Sequence, residues 1–482
     1  MTKIEPKMYI GGEWLREGGA GSFTTINPAD GTVLADVPSA SVEQVDAAVD
    51  AARAALDDPE WRDMLPAARA RLLWRVAELI EQHADELAEL ETLDQGQPIF
   101  VSRNINIPGT AEHFRYYAGW ATKIQGITST LSIPGTMHYT RREPVGVCAL
   151  IMPWNFPFLI ASFKLAPALA CGNTVVLKAA EQTPLTTYRL AELCEQAGVP
   201  KGVVNLVSGG PEVGKALTNH PRVDKVSFTG STEVGRDIVR AAAGNLKRVT
   251  LELGGKAPSI ITENADIDAA VAGNLQGALF NSGQVCAAYS RFYVHEKVVD
   301  EFVTKLSAGA EASKLGPGID PATTLGPLVS DLELTRVDGL VQNALTSGAT
   351  AVTGGARGDG DLANGYFYRP TVLAGVEESM DIARKEIFGP VLPVMTYSDP
   401  DELVPRANDT EYGLAASVWT TDLKTAHNLA AAIKAGALYI NLPPILDPAA
   451  PWGGFKASGW GKEMSHDAIE AFSQVKSVWV GV

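Results

Sequence analysis

A chain of 482 residues exceeds what one hydrophobic core supports, so two or three domains are expected. Its 40 basic residues against 56 acidic ones give a net charge of −16, which disfavours a nucleic-acid backbone or an anionic membrane as partner. Four cysteines, at 148, 171, 194 and 286, form no C-x-x-C pair and no zinc-like cluster, so no metal is expected.

The opening Met1-Thr2-Lys3-Ile4-Glu5-Pro6 has no apolar leader, and no run is apolar enough to span a membrane. A reducing, cytoplasmic setting is the expectation. Residues 9–38 read as short strands with turns at Gly11-Gly12 and at Asn27-Pro28-Ala29-Asp30-Gly31. A helix begins near Ser41, which caps it, with Gln44 three residues on. Segment 67–95 reads as one amphipathic helix, with Leu72, Val76, Leu79 and Ile80 on its apolar face. Another helix near 106–123 carries Phe114, Tyr116, Tyr117 and Trp120, an aromatic stripe of the kind that fills cores.

From 126 to 145 a Ser/Thr-rich stretch reads as an extended arm in search of a partner strand, and Val475-Lys476-Ser477-Val478-Trp479-Val480 is the candidate. Then an α/β rhythm sets in. The apolar strand 145–151, helix 158–171, strand 173–178, helix 184–197, strand 203–207, helix 211–219 and strand 225–228 predict a doubly wound nucleotide-binding sheet. The fingerprint G-x-G-x-x-G is absent. Phe228-Thr229-Gly230-Ser231-Thr232-Glu233-Val234-Gly235 nonetheless follows a strand and opens a helix, and that N-terminus suits a phosphate. Past residue 290 come helices 296–314 and 331–346, a strand near 351, extended pieces at 365–367 and 370–373, a turn at 386–390, and helices 423–434 and 465–472.

Two short strings carry the candidate chemistry. Asn281-Ser282-Gly283-Gln284-Val285-Cys286 places one thiol beside a tight-turn glycine. Isolated cysteines are usually small core hydrophobes; Gly283 and Gln284 instead suit a turn that presents a side chain. Val249-Thr250-Leu251-Glu252-Leu253-Gly254-Gly255-Lys256 sets one carboxylate between two leucines, so Glu252 points away from both. A buried glutamate needs a partner or a raised pKa. Nucleophile and general base are the roles suggested; an outward-facing strand residue is the alternative for Glu252.

Together with Pro153-Trp154-Asn155-Phe156-Pro157, Lys178 with Glu181, Glu386-Ile387-Phe388-Gly389-Pro390, Asn441 and Pro451-Trp452-Gly453-Gly454-Phe455-Lys456-Ala457-Ser458-Gly459, these strings resemble the NAD(P)-dependent aldehyde dehydrogenase superfamily. They run in the family's order across nearly the whole chain. The resemblance implies an aldehyde dehydrogenase-like α/β fold: a cofactor-binding domain from 1–125 and 145–254, a catalytic domain over 255–456, a returning segment at 457–472, and an oligomerisation arm from 126–144 and 473–482. It implies a homotetramer, with a dimer as the alternative.

By the same resemblance Cys286 attacks the aldehyde carbonyl, and its backbone N–H with the Asn155 amide holds the oxyanion. Glu252 activates the water that hydrolyses the thioester. Lys164 and Glu463 pass the released proton outward. Lys178 and Glu181 contact the adenosine ribose, which favours NAD, with NADP as the alternative. Trp154, Gly230, Ser231, Gly235 and Leu253 flank the cofactor, and Glu386 and Phe388 position the nicotinamide end. The implied substrate tunnel, Phe114, Phe156, Ile160, Phe163, Val285, Ala287, Leu446 and Trp452, is apolar and partly aromatic. A medium-chain aliphatic or aryl aldehyde is therefore expected, with some likeness to the phenylacetaldehyde-type branch. Coenzyme A-acylating relatives usually lack Glu252, so hydrolysis to the free acid is favoured over that alternative and over a non-catalytic relative. Ala179-Ala180 after Lys178, Lys462, and Met464-Ser465 where glycine is usual depart from the common pattern without removing a reacting group.

Overall fold

The structure, a computed structural model, describes residues 5–482; the leader reading of Met1–Ile4 lies outside them. The apolar runs of the first half become strands buried along their whole length, as a sheet covered on both faces requires. Val147–Ile151 starts this sheet. Thr174–Lys178 and Val204–Val207 add in parallel on one side, and Lys225–Thr229 and Arg248–Glu252 on the other. Strand order therefore reverses between Val147–Ile151 and Lys225–Thr229. A crevice opens outside the carboxyl ends at such a point, and Asn155, Lys178, Ser231 and Glu252 all lie there in sequence. Met8–Ile10 and Glu13–Leu15 extend one edge, and Gly459–Trp460 pairs with Leu251 and Glu252 at the other.

A second sheet starts directly after Gly254-Gly255. Ala257–Ile261 lies between Tyr289–His295 and Ala415–Trp419; Val391–Tyr397 and Thr371–Ala374 follow outward in parallel, and Ala437–Ile440 adds beside Ala415–Trp419. Cys286 precedes one inner strand and Glu386 another, so both belong to the amino ends of this sheet. The carboxyl ends of the first sheet thus meet the amino ends of the second.

The arm finds the partner expected for it. Thr136–Pro144 pairs antiparallel with Ser473–Gly481, from Ser473 opposite Pro144 to Gly481 opposite Thr136. Met137, Val475 and Trp479 stay exposed on it.

Elsewhere the elements differ from expectation. The single helix of 67–95 is two, Pro66–Gln82 and Ala84–Gln95, broken at His83. Helix Ile107–Ala121 is preceded by a π-helical turn over Ser102–Asn106. Helices Ile267–Leu279 and Pro400–Asn408 are additional to those expected. The last helix, Ser465–Ala471, lies in the segment read as returning to the cofactor-binding domain and packs Ala468 and Ile469 into the core of the first sheet.

Candidate active site

The turn before Cys286 is strained. Asn281, Ser282 and Gly283 are consecutive left-handed residues, with φ of 47°, 56° and 74°. Such non-glycine positions cost of order 1–3 kcal/mol each and persist only where surroundings hold them. Here the Asn281 side-chain amide donates to the Asn155 carbonyl at 3.0 Å, and the Ser282 hydroxyl to the Gly326 carbonyl at 2.7 Å. The Val329 N–H donates to Gln284 Oε1 at 2.9 Å. A Cβ at Gly283 would collide with the Gly389 backbone, so only glycine fits.

This turn sets Cys286 into the wall of a cavity of about 970 Å³, while Cys148, Cys171 and Cys194 are buried. Burial pushes the Cys286 thiol up, and the Glu252 and Glu386 carboxylates push the same way. The backbone N–H groups of Ala287 and Cys286 act against them, as donors that favour a thiolate. Asn155 lies against the same turn: its amide donates to the Gln284 carbonyl at 2.9 Å.

Glu252 shares the cavity. Leu251 and Leu253 pack into the opposite core, and both oxygens of the buried Glu252 carboxylate lack a hydrogen-bond partner. Burial raises its pKa well above the ordinary range. The nearby Glu463 charge adds to this, while Lys164 and Lys462 oppose it. A Cβ on Gly453 would stand 2.5 Å from Glu252 Oε1, so bare backbone makes room for the carboxylate. Behind it the Lys164 ammonium and the Glu463 carboxylate form a fully buried ion pair. Lys164 also donates to Thr229 Oγ1 at 2.8 Å, and Ser227 donates to Glu463 Oε1 at 2.8 Å.

The cavity runs along the strand-order reversal. Lys178 and Glu181 form an ion pair at 3.0 Å on its wall. Ser231 caps helix Thr232–Ala242 by accepting from the Val234 N–H at 3.3 Å, and Trp154, Gly230, Leu253, Glu386 and Phe388 line the same space. Phe388 is left-handed (φ 53°) and meets the Trp154 ring edge-on at 5.1 Å. Glu386 accepts from the Gly255 N–H at 2.8 Å, and burial raises it to about 7. Gly235 does not line the cavity. It lets the helix approach Leu253, whose Cδ2 would lie 2.6 Å from an added Cβ, so its part is packing.

Two cations escaped sequence reasoning. Arg336 lines the cavity and holds the Glu386 turn, donating to the carbonyls of Glu386 at 3.0 Å and Ile387 at 2.6 Å. Lys256 is buried, its ammonium has no hydrogen-bond partner, and burial drives its pKa well down. The Glu333-x-x-Arg336 spacing was visible as a helical ion pair; its reach across to residue 386 was not.

The expected tunnel residues separate into groups. Phe156, Ile160, Phe163, Ala287 and Trp452 pack in one apolar cluster, against which Val285 and Cys286 rest. Phe280, absent from the expectation, stacks on Phe156 at 5.9 Å. Leu446 lies exposed after Asn441. Phe114 is a correction: it is fully buried among Tyr117, Phe158 and Leu165 in the other domain's core, because the aromatic stripe of its helix packs inward.

Comparison with known proteins follows this geometry. The model of the aldehyde dehydrogenase family matches residues 14–478. DhaS of Bacillus subtilis, whose name assigns it to the aldehyde dehydrogenases, is 49% identical over 478 residues, covering 99% of this chain and 96% of its own. The phenylacetaldehyde dehydrogenase of Pseudomonas fluorescens is 44% identical, with 99% and 96% covered. Among solved structures, the NAD+ complex of the Bacillus cereus aldehyde dehydrogenase superposes with a TM-score of 0.97 at 47% identity, covering 99% of this chain and 97% of that one.

Proposed function

The chain belongs to the aldehyde dehydrogenase family, an NAD-using group of oxidoreductases, and on that footing we propose that it oxidises apolar aliphatic or aryl aldehydes to free carboxylic acids. The observation that carries this is the convergence of Cys286, Asn155 and Glu252 on the cavity walled by Lys178 and Glu181.

The residues present fit NAD. The cavity is long enough to run from the Lys178–Glu181 pair past the helix at Ser231 to Phe388 and Cys286. Glu181 would accept from the adenosine ribose hydroxyls, and the helix N-terminus suits a pyrophosphate. Glu386 and Phe388 would hold the nicotinamide end. What NAD supplies when bound is the acceptor for the aldehyde hydride.

This chain's own residues do the remainder. The Cys286 sulfur, as the thiolate that the Ala287 and Cys286 N–H groups favour, bonds the carbonyl carbon, and the oxyanion receives the Cys286 N–H and the second N–H of the Asn155 amide. Removal of the hydride leaves a thioester on Cys286. Glu252 takes a proton from water as the water oxygen bonds the acyl carbon, and the thiolate departs. A carboxylate with two free oxygens, made more basic by burial, suits that role. The apolar cluster of Phe156, Phe163, Ala287 and Trp452 beside Cys286 supports an apolar substrate, as does the similarity to a phenylacetaldehyde dehydrogenase.

Among the described residues no helix is long and apolar enough to cross a membrane. The four free thiols fit a reducing cytoplasm. The exposed apolar residues of the paired arm support a homo-oligomer, a tetramer first and a dimer second.

NADH formation from hexanal, phenylacetaldehyde, betaine aldehyde and succinic semialdehyde, with and without coenzyme A, tests the proposal. Turnover on the first two without coenzyme A is expected. Strict dependence on coenzyme A would overturn the hydrolytic assignment, and preference for a charged aldehyde would overturn the substrate class.

A further inference from the structure

Two tyrosines of the second sheet serve one loop. Tyr439, on strand Ala437–Ile440, packs against the apolar cluster on which Cys286 rests, and Trp452 belongs to that same cluster. The loop joining them, residues 441–451, therefore leaves the cluster beside the nucleophile and returns to it.

The backbone of this loop is held at four places. Asn441, left-handed at φ 54°, exchanges two hydrogen bonds of 2.9 Å with the Thr420 backbone. The Tyr289 hydroxyl donates to the Leu442 carbonyl at 3.1 Å, and the Tyr439 hydroxyl to the Ile445 carbonyl at 2.8 Å. The Ser465 N–H donates to the Pro448 carbonyl at 2.8 Å. Pro443 and Pro444 fix two further backbone angles. A Cβ at Gly277 would stand 2.6 Å from Tyr289 Cδ2 and 3.0 Å from Pro444 Cδ, so bare helix backbone lets ring and proline pack together. The side chains are treated differently: Leu442, Ile445 and Leu446 are 47%, 55% and 47% exposed. A loop tied at its carbonyls, with its apolar side chains left open, is a preformed apolar surface that a ligand need not order.

Resting on the apolar-aldehyde reading above, we propose that the Tyr289 and Tyr439 hydroxyls form a latch that sets selectivity for aldehyde chain length, holding Leu442, Ile445 and Leu446 as a rigid lip for the far end of the substrate tail. Both are positioning residues with no part in the bond changes. A short aldehyde ends within the apolar cluster and gains nothing from the lip. A longer unbranched tail reaches it, and each methylene buried there is worth about fourfold in kcat/KM. With the latch open, the substrate has to order the lip, and that cost falls on long tails alone.

Tyr289→Phe and Tyr439→Phe test the latch, since each removes one hydroxyl and keeps the ring. NADH formation by the full-length proteins is followed with propanal, hexanal, octanal and succinic semialdehyde at saturating NAD+, and light scattering reads each assembly mass. The wild-type protein is expected to favour octanal over propanal by about tenfold or more in kcat/KM. Each variant should lose about threefold to tenfold of that preference, through a higher KM for octanal with kcat little changed. An unchanged preference in both variants would overturn the latch, as would an equal loss on every aldehyde, which marks a fold defect. A changed assembly mass with the preference intact would also overturn it, giving the lip to a contact between copies. No preference for octanal in the wild type would overturn the lip while leaving the apolar reading in place. A wild-type preference for succinic semialdehyde would instead fail that reading, and the latch with it.

Discussion

The Asn281 side-chain amide donates to the backbone carbonyl of Asn155 at 3.0 Å, while the Asn155 amide donates back to the carbonyl of Gln284 at 2.9 Å. This reciprocal clasp joins the carboxyl end of one sheet to the turn before the other, and it fixes the thiol relative to the oxyanion donor. Asparagine also tolerates the left-handed backbone that Asn281 adopts. Asn281→Ala should therefore destabilise the protein by about 1–3 kcal/mol and lower turnover by roughly tenfold with little change in NAD affinity. Thermal melting and steady-state kinetics check both; unchanged turnover would show that the clasp is dispensable.

On the proposed function, the Lys178–Glu181 pair on the cavity wall would govern the choice of cofactor. With the adenosine ribose at this pair, Glu181 would set a carboxylate against a 2′-phosphate, and its ion pair with Lys178 would make that barrier finite. Glu181→Gln should narrow the preference for NAD over NADP by about tenfold, through tighter NADP and weaker NAD. Titrations of both cofactors by protein fluorescence measure it.

Stability should depend on pH through a residue far from the chemistry. Glu91 is fully buried, accepts from Thr186 at 2.8 Å through one oxygen, and is raised to about 8 by burial. The native state therefore keeps a proton that the unfolded chain has lost above the ordinary glutamate pKa. Stability is lost progressively as pH rises from that value toward about 8, then levels off. Glu91→Gln, which keeps the shape without the titration, should melt with a flatter dependence across this window. Parallel slopes for the two proteins would contradict the assignment.

The arm makes a separate prediction. Val475 and Trp479 are exposed apolar residues on a strand already paired along its length with Thr136–Pro144. Val475→Ser together with Trp479→Ser should shift the assembly toward smaller species while each chain stays folded. Light scattering after size exclusion reads the mass; a wild-type monomer would remove the basis for an oligomer.

Where local chemistry decides an element, the sequence was readable. Ser41 and Gln44 form the capping box their spacing suggested, and the segments read as strands at 145–151, 173–178 and 225–228 are buried parallel strands. The break at His83 was not readable, because neither glycine nor proline marks it and the helical pattern continues on both sides. Ile267–Leu279 is buried on much of its surface, so it lacks the amphipathic signal by which helices are recognised, and Pro400–Asn408 hides behind an internal proline. At the site, Cys286 and Glu252 stood out as residues at odds with their neighbours. Arg336 and Lys256 did not, since their importance lies in contacts with residue 386 and in burial that only the fold creates. Phe114 fills a core, as its place in an aromatic helical stripe suggested; its place in the tunnel came from the resemblance alone, which the inward packing of that helix does not follow. Met464 sits in a conformation otherwise kept by glycine (φ 64°, ψ 179°), a strain the chain tolerates.

The assignment of Cys286 and Glu252 is tested most directly by intact-protein mass spectrometry on Glu252→Gln mixed with NAD+ and hexanal in the absence of coenzyme A. One equivalent of NADH should form per site and an acyl adduct should accumulate on Cys286, because attack still proceeds and hydrolysis is slowed by about 10²–10⁴-fold. Normal turnover with no adduct would contradict the role of Glu252, and an adduct on any residue other than Cys286 would contradict the nucleophile.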